Sequence, residues 1–277
     1  MKPFHIAALI LGLLVVTLLV VFFLWPQKPS SPPVVTELER PPAAPLEAEP
    51  EIRYPLPAEE RIASEEEKPA RPLPALADSD PYMKELFLRL FGESSKVLVS
   101  QEFIPRMVLI IDSLPRKEYP HQHVPAQSPP GQFQVSGEAG SRVIAAENFR
   151  RYTPYVRLAE AVPSERLKYT YLTVYPLMEQ AYRQLGHPKG YFHDRMIQVL
   201  DHMIDTPEVE YPLPVVQHVK AFRYADPQLE SLSAGRKLLL RMGPDNSQRI
   251  RDVLLKLRNQ LVGEGQQGES SSAATNS

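Results

Sequence analysis

The hydrophobic and polar positions divide the chain into an apolar start, a proline-rich stretch and a body with helical periodicity. The apolar start, residues 6–25, reads IAALILGLLVVTLLVVFFLW and contains no charged side chain. At a rise of 1.5 Å per residue, a helix of this length matches the ~30 Å hydrocarbon core of a bilayer. We therefore predict a single-pass transmembrane signal anchor over residues 6–25, preceded by a short head of residues 1–5.

A cleaved signal peptide is the alternative interpretation of the same segment. Signal peptides carry an apolar run of about 7–15 residues and small residues before the cleavage site. Here the run is longer, and Pro26, Gln27 and Lys28 follow it without an Ala-x-Ala pattern. We expect the segment to be retained. A short head before a long C-terminal body is the usual layout of a signal anchor, which places the body outside the cytoplasm.

The composition changes abruptly after the apolar run. Residues 26–77 contain 13 prolines and ten glutamates but no glycine. Such a segment buries too little apolar surface to offset the entropy cost of folding, and its proline density favours polyproline II. We predict an extended, semi-rigid linker over residues 26–77. The polar residues 263–277 predict a disordered tail.

Helical periodicity dominates the body, residues 78–262. Asp80 before Pro81 predicts the start of a first helix, and residues 101–112 form an apolar second helix. Ser164 predicts the N-cap of a long helix. Apolar residues spaced by three and four give that helix one buried stripe, which consists of Leu167, Tyr171, Val174, Met178, Ala181 and Leu185.

Further helices are predicted over residues 194–204 and 247–261. Asp226-Pro227 opens one helix between them, and Gly243-Pro244 closes it. Residues 133–136 and 141–144 flank a glycine-containing turn and predict a short β-hairpin, while residues 215–224 are compatible with a strand. The predicted fold is mainly α, or α+β with a minor β-hairpin: one compact helical domain behind the transmembrane helix.

Charge and composition exclude several classes of function. The body carries 24 basic and 21 acidic side chains, which is too even a balance for a nucleic-acid-binding surface. The chain has no cysteine, so it has neither disulfides nor thiolate metal sites. Phosphate-binding loops, dinucleotide fingerprints and nucleophile-elbow motifs are missing from the sequence, and we predict no cofactor.

The segment YFHDRMIQVLDHMIDTP, residues 191–207, suggests a metal or acid–base site. At 100° per residue, however, His193 points along the apolar face and His202 points about 180° away, so the two cannot ligate one ion. We predict no metal. Asp194, Asp201 and Asp205 form an acidic ridge, for which arginines such as Arg223 or Arg241 are the expected structural partners.

Seven of the 12 tyrosines lie between Tyr152 and Tyr191. Tyrosine and arginine together are typical of a binding surface, although several of these rings are equally explained as core residues. Six polar and aromatic residues that are expected to converge between helices form the candidate binding surface: Arg151, Tyr152, Tyr155, Asp194, Arg195 and Asp201. We predict no catalytic residue.

Three segments carry a resemblance to a known family. They read ENFRRYTPYV (147–156), YPLMEQAYRQLGHPKGYFHDRMIQVLDHMIDTP (175–207) and RYADPQLESLSAGRKLLLRMGPDN (223–246). With them the chain resembles an uncharacterised family of bacterial membrane-anchored proteins that is classed as a domain of unknown function. The resemblance extends from about residue 73 to residue 261. It implies a bacterial inner-membrane location with the C-terminal domain in the periplasm, and it implies no activity.

The function expected from these features is that of a non-enzymatic envelope protein. Its periplasmic helical domain would dock on a protein or cell-wall partner at the end of a stiff spacer. One alternative is an envelope hydrolase that uses Asp194 and Asp201. A second is a transducing or adaptor arm similar in layout to TonB, although no residue of the body supports that analogy.

Overall fold

Helices account for most of the chain that the structure describes. The computed structural model describes residues 52–57, 72–98, 101–218 and 221–262, and within them the chain forms eight α-helices. Short 3₁₀ turns occur at Leu76–Asp78, Gly92–Val97 and His121–His123. The helices are α1 (Ser79–Phe91), α2 (Phe103–Ser113), α3 (Glu147–Glu160), α4 (Ser164–Gln184), α5 (Phe192–Ile204), α6 (Pro227–Ser231), α7 (Ala234–Arg241) and α8 (Pro244–Val262).

The predicted membrane anchor falls on residues that the structure does not describe. No helix within the described ranges combines the length and the apolar character that crossing a bilayer requires. The head, the anchor at residues 6–25, most of the linker and the tail at residues 263–277 all lie outside those ranges. These predictions therefore stay predictions.

The main core lies where α4 and α5 meet α1, α2 and α8. The predicted stripe of α4 is confirmed for Tyr171, Val174, Met178 and Ala181, all of which are buried. At the end of the stripe the prediction is wrong, because Leu185 is 37% exposed. Leu185 follows the last helical residue, Gln184, so the 3.6-residue period no longer fixes where its side chain lies.

Two short antiparallel hairpins cover a second, smaller core. Strand β1 (Val135–Ser136) pairs with β2 (Val143–Ile144), which confirms the predicted hairpin. Strand β3 (Val215–His218) pairs with β4 (Ala221–Tyr224). The buried residues of this core are Ile144, Leu213, Val215, Tyr224 and Leu240. The fold is mainly helical with a minor sheet component, as predicted.

Two predicted helix caps differ from the structure. Asp80 lies inside α1, and its carboxylate accepts hydrogen bonds from the backbone N–H groups of Glu102 (2.7 Å) and Phe103 (3.0 Å). It therefore caps α2, which begins 23 residues later, instead of its own helix. Ser164 is the first residue of α4, where no side-chain cap forms.

The predicted single helix between Asp226 and Gly243 is two helices. Asp226 caps α6 as expected, because its carboxylate accepts the N–H of Gln228. The chain then extends at Ser233, whose hydroxyl accepts the N–H of Arg236 and caps α7. A second cap within the run breaks the helix, since a capping residue has non-helical backbone angles.

Residues 52–57 contact the body, although they lie within the range predicted as a linker. Tyr54 and Leu56 are half-buried and pack against the main core, as does Leu73 farther along the chain. Leu76 is itself part of that core. Composition alone did not indicate these contacts, because isolated apolar residues hardly change the average over a proline-rich segment.

Candidate functional site

The start of α5 binds an irregular segment of the same chain, residues 52–57. The Asp194 carboxylate accepts the backbone N–H groups of Arg53 (3.0 Å) and Tyr54 (2.8 Å) through its two oxygens. One turn earlier, the Tyr191 hydroxyl accepts the N–H of Leu56 at 3.1 Å. Asp194 is thus one candidate residue that contacts a peptide segment, and Tyr191 completes the contact.

Beneath this contact lies a buried network of tyrosine, histidine and glutamate. The Tyr171 hydroxyl and His193 Nδ1 lie 2.9 Å apart, and Tyr175 donates to Glu179 at 2.8 Å. Glu179 also accepts the N–H of Phe192 at 3.0 Å, so it caps the first residue of α5. Burial raises the pKa of both tyrosines far above the ordinary value, and burial lowers the pKa of the His193 imidazole. All three side chains are therefore neutral near pH 7.

Arg195, the next residue along α5, holds a buried carboxylate of α2. Its Nε donates to Asp112 Oδ1 at 2.8 Å, and another guanidinium nitrogen donates to the Asp112 carbonyl at 2.7 Å. Arg116 pairs with the second carboxylate oxygen. Asp112 is only 3% exposed at its side chain, so these partners compensate its desolvation. Arg195 therefore joins α5 to α2.

The carboxylates farther along the ridge are paired with arginines, although not with the predicted ones. Asp201 accepts from Arg258 Nε at 2.9 Å, which joins α5 to α8. Asp205 pairs with Arg236 at 2.6 Å. The predicted salt-bridge role is confirmed, and the predicted partners Arg223 and Arg241 are wrong, since the Arg241 guanidinium instead donates to the Phe222 carbonyl. Sequence spacing within one helix does not indicate which distant arginine packs beside it.

The candidate residues of α3 serve a different part of the molecule. Arg151 donates to the carbonyls of Pro129, Pro130 and Gly131, and the Tyr155 hydroxyl donates to the Gln127 carbonyl at 2.9 Å. These bonds fasten the loop before β1. Over the described ranges, no hydrogen bond or ion pair joins Arg151, Tyr152 or Tyr155 to the candidate residues of α5. Hydrogen bonds and ion pairs of the described residues therefore do not link the six candidates into one network.

The two histidines of α5 lie apart, as predicted. His193 is fully buried against Tyr171, whereas His202 Nε2 lies 2.7 Å from the Ser233 hydroxyl. Burial lowers the pKa of His202, and the nearby Arg236 lowers it further. Within the described part of the chain, no three histidine or carboxylate side chains are grouped closely enough to hold a metal ion.

A cavity of about 300 Å³ lies away from these residues, between the α3–α4 connection and α8. Glu160 and Arg249 border it with a bidentate ion pair. The hydrogen bond from Arg249 lowers the pKa of Glu160. Glu165, Asp252 and Lys256 complete a lining of mixed charge, and none of the six candidate residues lines this cavity.

Comparison with known proteins identifies a family for the chain, and it identifies no activity. A family model described as Protein of unknown function (DUF3014) matches residues 103–258, and it confirms the predicted resemblance to a domain of unknown function over those residues. Neither a curated protein nor a solved structure matches the chain.

Proposed function

We propose a function from the contacts of the site, because the chain belongs to the DUF3014 family of proteins of unknown function and this membership names no activity. In this proposal the chain is a non-enzymatic envelope protein of a bacterium. Residues 6–25 anchor it in the inner membrane, and residues 26–77 carry the helical domain into the periplasm. There the domain docks on a protein or cell-wall partner.

The observation that carries this proposal is the contact at the start of α5. Asp194 and Tyr191 together accept three backbone N–H groups from residues 53–56. Main-chain hydrogen bonds combined with side-chain contacts are a common basis of peptide recognition. This arrangement suits binding and contains no activated nucleophile.

The hydrolase alternative receives less support from the same residues. A glycoside hydrolase needs two carboxylates that flank the scissile bond, one acting as acid and the other as base or nucleophile. Asp194 is bound to two amides, and Asp201 is bound to Arg258. No described contact favours a transducing arm of the TonB kind, whose similarity is one of layout.

In-cell photo-crosslinking tests the docking function. A photoreactive residue replaces Gln198, which is exposed one turn beyond Asp194, and the matched control replaces exposed Gln228 on α6. We expect one recurrent envelope partner from position 198 and none from position 228. Asp194→Asn should abolish that crosslink, whereas Asp201→Asn should retain it. The absence of any Asp194-dependent crosslink would reject docking at this site.

An activity assay separates the hydrolase alternative. If the acidic ridge were catalytic, the native protein would degrade cell-wall polysaccharide, and Asp194→Asn and Asp201→Asn would abolish turnover without unfolding the domain. The docking function predicts no turnover by the native protein. Measurable hydrolysis that both substitutions remove would replace docking with catalysis.

A further inference from the structure

The segment 52–57 (IRYPLP) lies on the body in the way that a bound peptide lies on its receptor. The backbone N–H groups of Arg53, Tyr54 and Leu56 are all hydrogen-bonded to Asp194 or Tyr191. The residue between the last two is Pro55, which has no N–H to satisfy. Every backbone donor from residue 53 to residue 56 is therefore matched by one acceptor on α5 or just before it.

Some side chains of the segment face the body and others face solvent. Tyr54 and Leu56 are half-buried and pack against the main core, and Pro57 is half-buried as well. Arg53 and Pro55 are exposed, and Ile52 is 54% exposed. The backbone bends at Arg53 and Tyr54, which lets one carboxylate accept two consecutive N–H groups. The receptor thus contacts a tyrosine and a leucine that lie on either side of a proline.

The same four residues occur a second time in the chain. Residues 51–57 read EIRYPLP and residues 208–214 read EVEYPLP, so both copies follow the pattern E-x-x-Y-P-L-P. In the second copy Leu213 is fully buried, and the Tyr211 hydroxyl donates to the Leu240 carbonyl at 2.7 Å. Its prolines, Pro212 and Pro214, are exposed. In both copies the tyrosine and the leucine contact the domain and the proline between them is exposed, whereas the last proline is half-buried in the first copy and exposed in the second.

We propose that the surface formed by Tyr191, Asp194 and the adjoining core is a receptor for Tyr-Pro-Leu-Pro segments. Residues 52–57 are its exchangeable intramolecular occupant. A partner is recognised by the same chemistry, namely a segment with tyrosine and leucine flanking a proline, and it displaces the chain's own copy. This inference rests on the proposed docking function and specifies its ligand.

The segment is held by three hydrogen bonds and by the half-buried side chains of Tyr54, Leu56 and Pro57, which makes exchange feasible. The helices of the core are held by fully buried side chains such as Phe192 and Ile197, whereas the segment contributes no fully buried residue. An intramolecular ligand has an effective concentration in the millimolar range when its linker is short. A competing peptide is therefore expected to bind weakly while the native segment is in place.

A peptide-binding measurement on the full chain in detergent tests the inference. The probe is a fluorescein-labelled peptide of residues 50–58, and the readout is fluorescence anisotropy. Tyr54→Ala with Leu56→Ala empties the receptor, so we expect the peptide to bind this variant at least ~10-fold more tightly than it binds the native chain. Ile52→Ala is the matched control in the segment and should leave binding at the native level.

Substitutions in the receptor give the complementary result. On the background of the Tyr54→Ala, Leu56→Ala variant, Asp194→Asn should weaken the peptide at least ~10-fold, because a carboxylate that accepts two N–H groups is lost. Asp201→Asn, two turns farther along α5, should have no effect. A peptide in which the tyrosine and leucine are alanine should not bind. If the double variant melts early, Leu56→Ala alone serves as the emptied form.

The outcomes distinguish this inference from the proposed function. Equal peptide affinity for the native chain and the emptied variants, or no binding to either, would overturn the inference. An Asp194-dependent crosslink in cells would still support docking in that case. Peptide binding without any crosslink in cells would support the receptor and reject its proposed role in the envelope.

Discussion

Two aspartates show how a single carboxylate can fix a distant piece of backbone. Asp80 binds the N–H groups of residues 102 and 103, and Asp194 binds those of residues 53 and 54. In both cases each carboxylate oxygen accepts one N–H of a consecutive pair. The sequence indicated a helix start at Asp80 and an acidic ridge at Asp194, and it indicated neither backbone partner, because both partners are distant in sequence. The sequence therefore predicted that each aspartate lies at or near the start of a helix, but it did not predict which backbone segment the carboxylate binds.

The cap of α2 gives a direct stability prediction. Asp80→Ala should lower the free energy of unfolding by about 1 kcal/mol, the usual cost of removing a side-chain cap. Asp78→Ala is the matched control, since Asp78 is exposed and its side chain forms no cap. Urea denaturation of the two variants measures the difference. Equal losses would show that the Asp80 contact does not stabilise the fold.

The histidines of α5 predict an acid-side loss of stability. Burial lowers the pKa of His193 and of His202 below the ordinary value of 6.5, so the unfolded chain binds protons more readily than the folded one. Well above pH 6.5 both histidines are neutral in either state, and the free energy of unfolding is at its full value. As the pH falls below 6.5, protons bind preferentially to the unfolded chain, and the free energy of unfolding decreases. Urea denaturation between pH 7.5 and pH 5.5 measures this slope.

Substituting single histidines shows which of them causes the pH dependence of the free energy of unfolding. His193→Gln should flatten the pH dependence even though it lowers stability at every pH, since it removes a group that must stay neutral. His218→Gln is the control, because His218 is exposed on β3. An unchanged slope in the His193 variant would mean that other groups cause the acid sensitivity.

At the scale of the helix and the strand, hydrophobic periodicity predicted buried faces more accurately than capping residues predicted where helices begin and end. The stripe of α4 was predictable from Tyr171 to Ala181 because these residues lie within one helix, where the 3.6-residue period fixes the direction of each side chain. The break between α6 and α7 was missed because Ser233 is an ordinary helix residue unless its hydroxyl caps the next turn. The ion pairs Asp201–Arg258 and Asp205–Arg236 join separate helices, so no local pattern indicates them.

The turn between α7 and α8 gives a prediction at this scale. Gly243 has φ +86°, and a Cβ atom there would lie 2.4 Å from the Phe149 ring of α3. Gly243→Ala should cost about 2–5 kcal/mol, the sum of left-handed backbone strain and overpacking. Gly186 has φ +111° with no neighbour within 4 Å, so Gly186→Ala should cost only about 1–2 kcal/mol. Similar denaturation midpoints for both variants would contradict the role of the Phe149 contact.

At the scale of the whole molecule, the described contacts tie part of the arm to the body. Tyr54 and Leu56 reach the main core, and Asp194 and Tyr191 hold the backbone beside them. Under the proposed function, a partner at the start of α5 would compete with the arm that carries the domain. Docking and the attachment of the arm would then be coupled, because both use the same acceptors.

The coupling takes place at the membrane only if residues 6–25 anchor the chain there. Fractionation tests this anchor. Twenty uncharged residues at positions 6–25 are long enough to span the bilayer, so the full chain should stay in the membrane pellet after extraction with alkaline carbonate. A variant without residues 6–25 should move to the supernatant, whereas a variant without residues 263–277 should stay in the pellet. Protease added to spheroplasts should degrade the body if it lies in the periplasm. Release of the full chain by carbonate would remove the anchor from the proposed function and leave the peptide receptor of α5 to be judged alone.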